Sequence, residues 1–331
     1  MTNKQLKLSE DIFTKQITST AIRDGFGEGL LTAGEIHDNV VVLTADLKDS
    51  TRATKFAEAF PNRFIECGVS EQSMVTVASG MANYGKIPFI CSFSAFNPGR
   101  TWEQIRTTVC LNDVPVKIGG LFVGVSVGPD GATHQMLEDI ALMRSLPNMI
   151  VLAPSDAIEA RKAVIAAASI QKPVYLRIPR VESPVYTTEE TPFEIGKAVT
   201  VWEEKNPEVA IVAHGIMVYR ALVAAKKLSS LGFNCIVINV ATIKPLDEQA
   251  IIHAAKIAGA IVVAEEHQKF GGLGGAVSEL LGKNFPVPIE IVAVEDEFGQ
   301  SGSPEELLTA YGLTPEHIVD LAKKVVKRKR S

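Results

Sequence analysis

Residues 40–93 read VVVLTADLKDSTRATKFAEAFPNRFIECGVSEQSMVTVASGMANYGKIPFICSF and carry the clearest fold signal in the chain. Two short, largely apolar runs, VVVLTA (40–45) and IPFICSF (87–93), are separated by the amphipathic segments STRATKFAEAF and SEQSMVTVASGMANYG. Runs that are apolar along their length are typical of strands covered by helices on both faces. The stretch therefore predicts alternating strands and helices, the pattern of an α/β protein.

The same alternation continues along the rest of the chain. The first half also contains VKIGGLFVG, MIVLAP and PVYLRI, and the second half contains VAIVAH, NCIVINV, AIVVAE and PIEIVAV. Between the halves, RVESPVYTTEETPF is polar, contains two prolines and lacks periodicity, as a linker does. We predict two α/β domains, each a mainly parallel sheet flanked by helices, over residues 10–180 and 195–331, with a linker at 181–194.

Composition excludes several classes of protein. The 331 residues are 46% hydrophobic and 21% charged, which is the balance of a globular rather than a disordered chain. The net charge of −5 argues against a general nucleic-acid binder. The sequence has no apolar run of the roughly 20 residues that a membrane helix needs. The N-terminus lacks a signal-peptide core, and the four cysteines form neither a disulfide framework nor a zinc pattern. We expect a cytoplasmic protein.

Two glycine clusters resemble dinucleotide-binding sequences only superficially. Gly25-Phe-Gly27-Glu-Gly29 has no strand before it, and GGLGG (271–275) follows its strand only after the polar insert EHQKF. A dinucleotide fingerprint needs its glycines directly between strand and helix. We therefore favour a tight turn entering a helix for GGLGG over a nucleotide site.

Three further segments contain candidate functional residues: CGVSEQSM (67–74), PFICSFSAF (88–96) and GPDGATHQ (128–135). Taken alone, Glu71 is a carboxylate favoured in the first turn of a helix, and the Asp130-Gly131 pair is an ordinary turn. His134 is more suggestive, because it follows a flexible loop on the carboxyl side of a strand, where open α/β sheets bind ligands.

Together these segments resemble the pyrimidine-binding domain of transketolases. The resemblance covers nearly the whole chain: VSEQxM, the SF-x-x-F strand end, DGATHQ-x-x-ED-IA-x-x-R-x-x-PNM, and KPLD, EEH, GGLGG and SG-x-x-x-ELL-x-x-YGLT in the second half. In transketolases made as one chain, this region is the C-terminal part, and some organisms make the two parts separately. The resemblance implies the C-terminal subunit of a split transketolase.

By this resemblance the chain binds the pyrimidine ring of thiamine diphosphate. Glu71 matches the glutamate that hydrogen-bonds a pyrimidine nitrogen and thereby favours the imino tautomer that activates the cofactor. Phe93 and Phe96 match the aromatic wall of the ring, and Asp46 matches an aspartate near the cofactor. Mg²⁺ and the diphosphate would be held by the partner subunit, and this chain itself would hold no metal.

The resemblance also implies sugar-binding residues. His134 matches the histidine that contacts donor hydroxyls and relays a proton, and Asp130 matches an aspartate that binds a neighbouring hydroxyl. Arg23, Ser50 and Arg180 align with positions that hold the sugar phosphate, a task for which guanidinium groups are suited. Catalysis is thus expected from Glu71 and His134.

The sequence departs from the family pattern at three positions. Phe122 stands where transketolases commonly have a phosphate-contacting histidine, and Pro129 stands where glutamate is usual. Gly99 replaces an aromatic residue, with Trp102 nearby as a substitute. These departures affect the identity of the sugar rather than the cofactor.

The expected reaction is reversible transfer of a two-carbon ketol unit from a ketose phosphate to an aldose phosphate, in the pentose phosphate pathway. It would require the N-terminal transketolase subunit, in an assembly of two copies of each chain (α2β2). Two alternatives use pyruvate: the beta subunit of a 2-oxo-acid dehydrogenase and an enzyme resembling deoxyxylulose-phosphate synthase. A further alternative is a non-catalytic scaffold, against which the presence of Glu71, Asp130 and His134 together argues.

Overall fold

The computed structural model describes residues 1–329. Its strands are β1 Ser19–Ala21, β2 Val40–Thr44, β3 Phe64–Glu66, β4 Ile87–Phe93, β5 Lys117–Leu121, β6 Ile150–Leu152, β7 Val174–Ile178, β8 Glu182–Pro184, β9 Val199–Trp202, β10 Val209–Ala213, β11 Cys235–Asn239, β12 Thr242–Lys244, β13 Ile261–Gln268 and β14 Ile289–Val294. Its helices are α1 Ile22–Ile36, α2 Thr54–Ala59, α3 Glu71–Asn83, α4 Trp102–Gln104, α5 Asp139–Arg144, α6 Ala157–Ala168, α7 Met217–Ser230, α8 Glu248–Ala258, α9 Leu273–Asn284, α10 Pro304–Ala310 and α11 Pro315–Lys329. Single 3₁₀ turns occupy Lys4–Leu6 and Pro61–Arg63, and Val125–Asp130 consists of two such turns separated by a kink at Gly128. A wider π turn continues α4 over Ile105–Cys110.

The first sheet has seven strands in the order β12-β6-β7-β5-β4-β2-β3. All of its pairs are parallel except the edge pair of β12 with β6. Every residue of β2 is buried, and its side chains alternate between two apolar clusters. Val40 and Val42 join one cluster, and Val41 and Leu43 join the other. An unbroken apolar run is thus the sequence of a strand that has helices on both faces.

The second sheet has five strands in the order β14-β13-β10-β11-β9, of which only the β9–β11 pair is antiparallel. The fully buried runs Val209–Ala213 and Cys235–Asn239 form its centre. The predicted fold class, two mainly parallel sheets flanked by helices, is confirmed.

The segment predicted as a linker is packed against the first sheet's layer. Strand β8 lies within residues 181–194 and pairs antiparallel with β1. The buried Asp156 carboxylate accepts hydrogen bonds from the backbone N–H groups of Tyr186 (3.1 Å) and Thr187 (2.8 Å). These bonds satisfy an irregular backbone that would otherwise be buried without partners. The division at 181–194 stays a prediction, and residues 330–331 of the predicted second domain lie outside the described residues.

One strand from the second half of the chain belongs to the first sheet. Strand β12, which follows β11 of the second sheet, pairs with β6 and so extends the first sheet. Within residues 1–329, no helix has both the length and the apolar character needed to cross a membrane.

Candidate active site

The candidate residues gather where the parallel strands of the first sheet end. Register places Thr44 beside Cys91 and Phe93 beside Leu121, so β2, β4 and β5 end close together. Asp46 follows β2, Phe93 ends β4, and the segment with Asp130 and His134 follows β5. The carboxyl edge of a parallel sheet is where such folds bind ligands, because the loops there diverge and leave a crevice.

An aromatic cluster forms the centre of this edge. The ring centroid of Phe93 lies 4.0 Å from that of Phe122 and 6.2 Å from that of Phe96. The imidazole of His134 meets both Phe93 and Phe96 edge-on, with centroids 6.0 and 5.5 Å away. Edge-to-face and offset contacts at these distances are the favoured aromatic geometries. The structure therefore brings three predicted residues, Phe93, Phe96 and His134, into one surface.

Glu71 lies at the first position of α3 and is 3% exposed. Its Oε2 atom is 3.4 Å from Nη1 of Arg100, and the Arg100 side chain is 54% exposed. The Arg100 guanidinium also lies 5.4 Å from the ring centroid of Phe96. One arginine thus connects the buried carboxylate to the aromatic cluster. Sequence reasoning missed Arg100, although its place shortly after Phe96 was an available signal.

Two more arginines approach the aromatic cluster at Phe122. The guanidinium carbons of Arg23 and Arg180 each lie 5.2 Å from the Phe122 ring centroid. Burial lowers the pKa of Arg23, and the neighbouring Arg52 adds to this, while Asp24 opposes it. The Nε atom of Arg23 is buried and has no hydrogen-bond partner among the described residues. This concentration of cations is suited to an anionic group.

The remaining predicted sugar contacts join the same arginines. Arg23 donates to the backbone carbonyl of Ser50 at 3.2 Å. Arg180 donates to the Oδ2 atom of Asp130 at 3.1 Å and to the carbonyl of Val127 at 3.0 Å. Ser50 and Asp130 are therefore joined by hydrogen bonds to the two arginines that lie over Phe122. Their role in binding a sugar stays a prediction.

Asp46 is not joined to this region. It is exposed, has a backbone φ of 59°, and has no hydrogen bond, ion pair or ring contact with the aromatic cluster among residues 1–329. Its N–H donates to Glu66, whose carboxylate also accepts from Thr44 and Gly68. Partial burial would raise the pKa of Glu66, but these hydrogen bonds outweigh it and lower the pKa. Glu66 was not predicted, and it shapes the turn that carries Asp46.

One departure from the family pattern, Gly99, has a physical explanation. A Cβ atom at Gly99 would lie 2.2 Å from the carbonyl oxygen of Ala95, so an aromatic residue does not fit without a backbone shift. Trp102 packs instead against the second apolar cluster and donates its indole N–H to Leu142 at 3.1 Å. It does not substitute for the missing aromatic residue. Pro129 lies in the helical turn Val125–Asp130, where the chain kinks at Gly128.

The GGLGG loop is a tight turn entering α9, as predicted. The carboxylate of Glu265 accepts hydrogen bonds from the N–H groups of Leu273 (2.7 Å) and Gly274 (2.8 Å), and so occupies the helix N-terminus. A Cβ at Gly272 would lie 2.0 Å from the same carboxylate, which explains the need for glycine. An internal anion thus takes the place that a phosphate would need.

Comparison with known families identifies the fold. Residues 18–185 match the pyrimidine binding domain of transketolase, and residues 196–318 match the transketolase C-terminal domain. The chain belongs to the transketolase family. Members of this family use thiamine diphosphate, and the chain is a transketolase-type transferase subunit.

Its relatives include transketolases that are divided into separate chains. A protein of Methanocaldococcus jannaschii named as a transketolase C-terminal section is 42% identical over 90% of this chain and 93% of its own length. The 6-deoxy-6-sulfo-D-fructose transketolase subunit SqwH of Clostridium sp. (strain MSTE9) is 39% identical over 93% and 95%. One of the subunits of an apulose-4-phosphate transketolase from Phocaeicola vulgatus is 37% identical over 93% and 98%.

A solved structure described as a split gene transketolase, inactive beta4 tetramer, is similar throughout. It is 42% identical, has a TM-score of 0.88, and the match covers 94% of this chain and 99% of that chain. These findings confirm the predicted family and the resemblance to the C-terminal subunit of a split transketolase. They favour transketolase over the two pyruvate-using alternatives.

Proposed function

We propose that this chain is the pyrimidine-binding subunit of a two-chain transketolase that reversibly transfers a two-carbon ketol unit from a ketose to an aldose. The observation that carries the proposal is the buried carboxylate of Glu71. It is linked through Arg100 to a surface formed by Phe93, Phe96 and His134. A scaffold protein has no use for a buried carboxylate beside a half-buried aromatic surface.

The site fits the pyrimidine half of thiamine diphosphate. Arg100 is the only side chain among residues 1–329 that pairs with Glu71, and its largely exposed arm leaves the carboxylate available to a ligand. Glu71 would hold a proton shared with a ring nitrogen, and Phe93 and Phe96 would pack against the planar ring. When bound, thiamine diphosphate would supply the carbon nucleophile for the donor carbonyl. Asp46 would act only at the edge of this site.

His134 and Asp130 are proposed to handle the donor sugar. The half-buried imidazole of His134 stands at the edge of the two phenylalanine rings, and its Nδ1 atom lies 3.0 Å from the Thr133 hydroxyl. That contact leaves Nε2 for a donor hydroxyl or for a proton that moves as the carbon–carbon bond breaks. Asp130, oriented by Arg180, would accept a hydrogen bond from a neighbouring hydroxyl.

Arg23 and Arg180 are proposed to bind a terminal phosphate of the sugar, with Ser50 at the edge of the site. Both arginines stand over one aromatic ring, and the buried Nε donor of Arg23 is unpaired among the described residues. The names of two relatives include a sulfonated or phosphorylated sugar, which also supports an anionic terminus. A sulfonate would use the same contacts, so both anions belong in the assay.

We further propose that the active enzyme contains a separate N-terminal subunit that holds Mg²⁺ and the diphosphate. Two copies of each chain would form the assembly, in the cytoplasm. The resemblance to a beta4 tetramer described as inactive supports the idea that this chain is inactive alone. Involvement in the pentose phosphate pathway stays a prediction.

The test is co-expression of this chain with the N-terminal chain, followed by purification and a two-carbon transfer assay. Ketose phosphates, a sulfonated ketose and pyruvate are offered separately, each with an aldose phosphate acceptor. We expect transfer from a ketose phosphate that depends on thiamine diphosphate, Mg²⁺ and both chains. Turnover of pyruvate alone would support the alternatives, and full activity of this chain alone would refute the two-chain proposal.

A further inference from the structure

The loop that carries Asp130 and His134 is held from the second half of the chain. The backbone N–H of Ser126, at the start of this loop, donates to the Oε1 atom of Glu266 at 2.7 Å. Glu266 belongs to β13 of the second sheet and is 1% exposed. The Glu266 carboxylate, in the second sheet, thus binds the backbone of the loop that follows β5 of the first sheet.

The loop backbone passes unusually close to this carboxylate. Gly124 has a φ of 78°, and a Cβ at this position would lie 2.2 Å from the carboxyl carbon of Glu266. Only glycine combines this backbone conformation with so close an approach. The loop can therefore follow this path beside the Glu266 carboxylate only with glycine at position 124.

Gln135 connects the other end of the loop to the second domain. The two N–H bonds of its buried Nε2 atom are shared among the carbonyls of Val125 (3.1 Å), Gly128 (3.2 Å) and Gln300 (2.9 Å). Two of these acceptors lie within the loop, and the third lies in the second domain. Since Gln135 directly follows His134, the amide that closes the loop also sets the backbone beside the imidazole.

A buried cation ties Glu266 to the first sheet. Arg177 of β7 donates through Nη2 to the backbone carbonyl of Glu266 at 2.7 Å, and through Nε to Asp139 at 2.9 Å. Burial raises the pKa of Glu266, while the charge of Arg177 and the bond from Ser126 oppose that change. The arginine therefore favours the ionised form of the carboxylate, which is the stronger hydrogen-bond acceptor.

We propose that Glu266 is a positioning residue for the loop of residues 124–136, so that the second domain sets the geometry of Asp130 and His134. This inference rests on the proposed function for its catalytic consequence. Its structural part, that Glu266 fixes the loop, stands on the contacts alone. Glu266 acts through Ser126 and does not itself touch the site.

The experiment compares Glu266→Ala, Glu266→Gln and Glu265→Ala in the complex with the N-terminal chain. Glu265 is the matched control, since it is adjacent and equally buried but binds the start of α9 instead of the loop. Glu266→Gln keeps an oxygen that can accept from Ser126, and Asp139 still pairs with Arg177.

Amide hydrogen exchange of residues 124–136 is the first measurement, and it needs no activity. We expect Glu266→Ala to speed exchange in this loop about ten- to a hundredfold, because a charge-assisted hydrogen bond is lost. Glu266→Gln should retain most of the protection, and Glu265→Ala should leave the loop unchanged. Equal loop protection in Glu266→Ala and the unsubstituted chain would overturn the inference.

Steady-state kinetics with a ketose phosphate are the second measurement. We expect Glu266→Ala to lower kcat/KM for the donor about ten- to a hundredfold, with thiamine diphosphate affinity unchanged and activity restored in Glu266→Gln. Loop loosening without a kinetic effect would refute the catalytic role. Absence of transfer in the unsubstituted complex would instead refute the proposed function and leave the exchange result to decide loop positioning.

If Glu266→Ala does not fold, Gln135→Glu perturbs the loop from its other end, because it removes the donor to three carbonyls. The same loss of protection is then expected in residues 124–136. If amide exchange of residues 124–136 is unchanged in the folded Gln135→Glu variant, the second domain does not fix the position of the loop.

Discussion

Replacing Phe122 by leucine should selectively weaken binding of the sugar's anionic end. The Phe122 ring lies 5.2 Å from two guanidinium carbons, and cation–π contacts are worth about 0.5–2 kcal/mol each. Leucine keeps an apolar side chain beside Phe93 but removes both contacts. If about 1–2 kcal/mol of the free energy that holds the two arginines in place is lost from substrate binding, KM for a ketose phosphate rises roughly five- to thirtyfold.

The assay compares a phosphorylated ketose with an unphosphorylated ketose in the same complex. KM for the first should rise while kcat/KM for the second changes little, because Phe122 orders the arginines and not the reacting carbons. Leucine is smaller than phenylalanine and leaves a void at this 4% exposed site, so a loss of about 1 kcal/mol of folding stability is expected, and KM is compared in folded complexes. Equal losses for both sugars would refute the reasoning, because they would place Phe122 at the cofactor instead. Phe122→His provides a second comparison, in which a hydrogen-bond donor replaces the ring contacts.

The remaining predictions concern catalysis and pH. Glu71→Ala should abolish two-carbon transfer while the chain stays folded, since its partner Arg100 is 54% exposed and stays hydrated when the carboxylate is removed; near-normal turnover would contradict its role. His134→Ala should impair donor turnover with cofactor affinity preserved, measured by initial rates and by cofactor titration, and unchanged donor kinetics would count against it. Burial and the nearby Asp156 raise the pKa of Glu159 to about 7, whereas the unfolded carboxyl titrates near its ordinary value of 4.5. The folded state therefore binds this proton more tightly, so Glu159 lowers stability as pH rises from about 4.5 to 7. Urea unfolding of Glu159→Gln should show a weaker decline across that interval, and an identical pH profile would exclude the assignment.

The sequence predicted the first sheet well because its strands are buried on both faces. The runs at 40–45 and 87–93 contain β2 and β4, and their apolar character reflects two helical layers rather than one. The placement of Phe93, Phe96 and His134 together was also predictable, since all three follow or end parallel strands. Motif resemblance supplied their chemical interpretation, which periodicity alone does not contain.

The missed features depend on contacts between distant parts of the chain. Strand β12 is three residues long and pairs with β6, so its place is set by tertiary packing and not by any local pattern. Strand β8 was hidden in a polar segment whose backbone is satisfied by Asp156. Arg100 looked like an ordinary loop cation, because a sequence does not show which carboxylate a long side chain reaches.

Glu266 gives the strongest reason to treat the two halves as one catalytic unit. The segment AIVVAEEH predicts a buried strand, yet two adjacent carboxylates at its end are costly to bury unless each has partners. The structure provides those partners in different directions: Glu265 binds the start of α9, and Glu266 binds the loop at Ser126. Adjacent strand residues point to opposite faces, so one strand can stabilise its own domain with one carboxylate and hold the loop at Ser126 in the first domain with the next. If the second domain played no part in positioning this loop, the Ser126 contact would be dispensable, and Glu266→Ala would leave both the amide exchange of residues 124–136 and the donor kinetics unaltered.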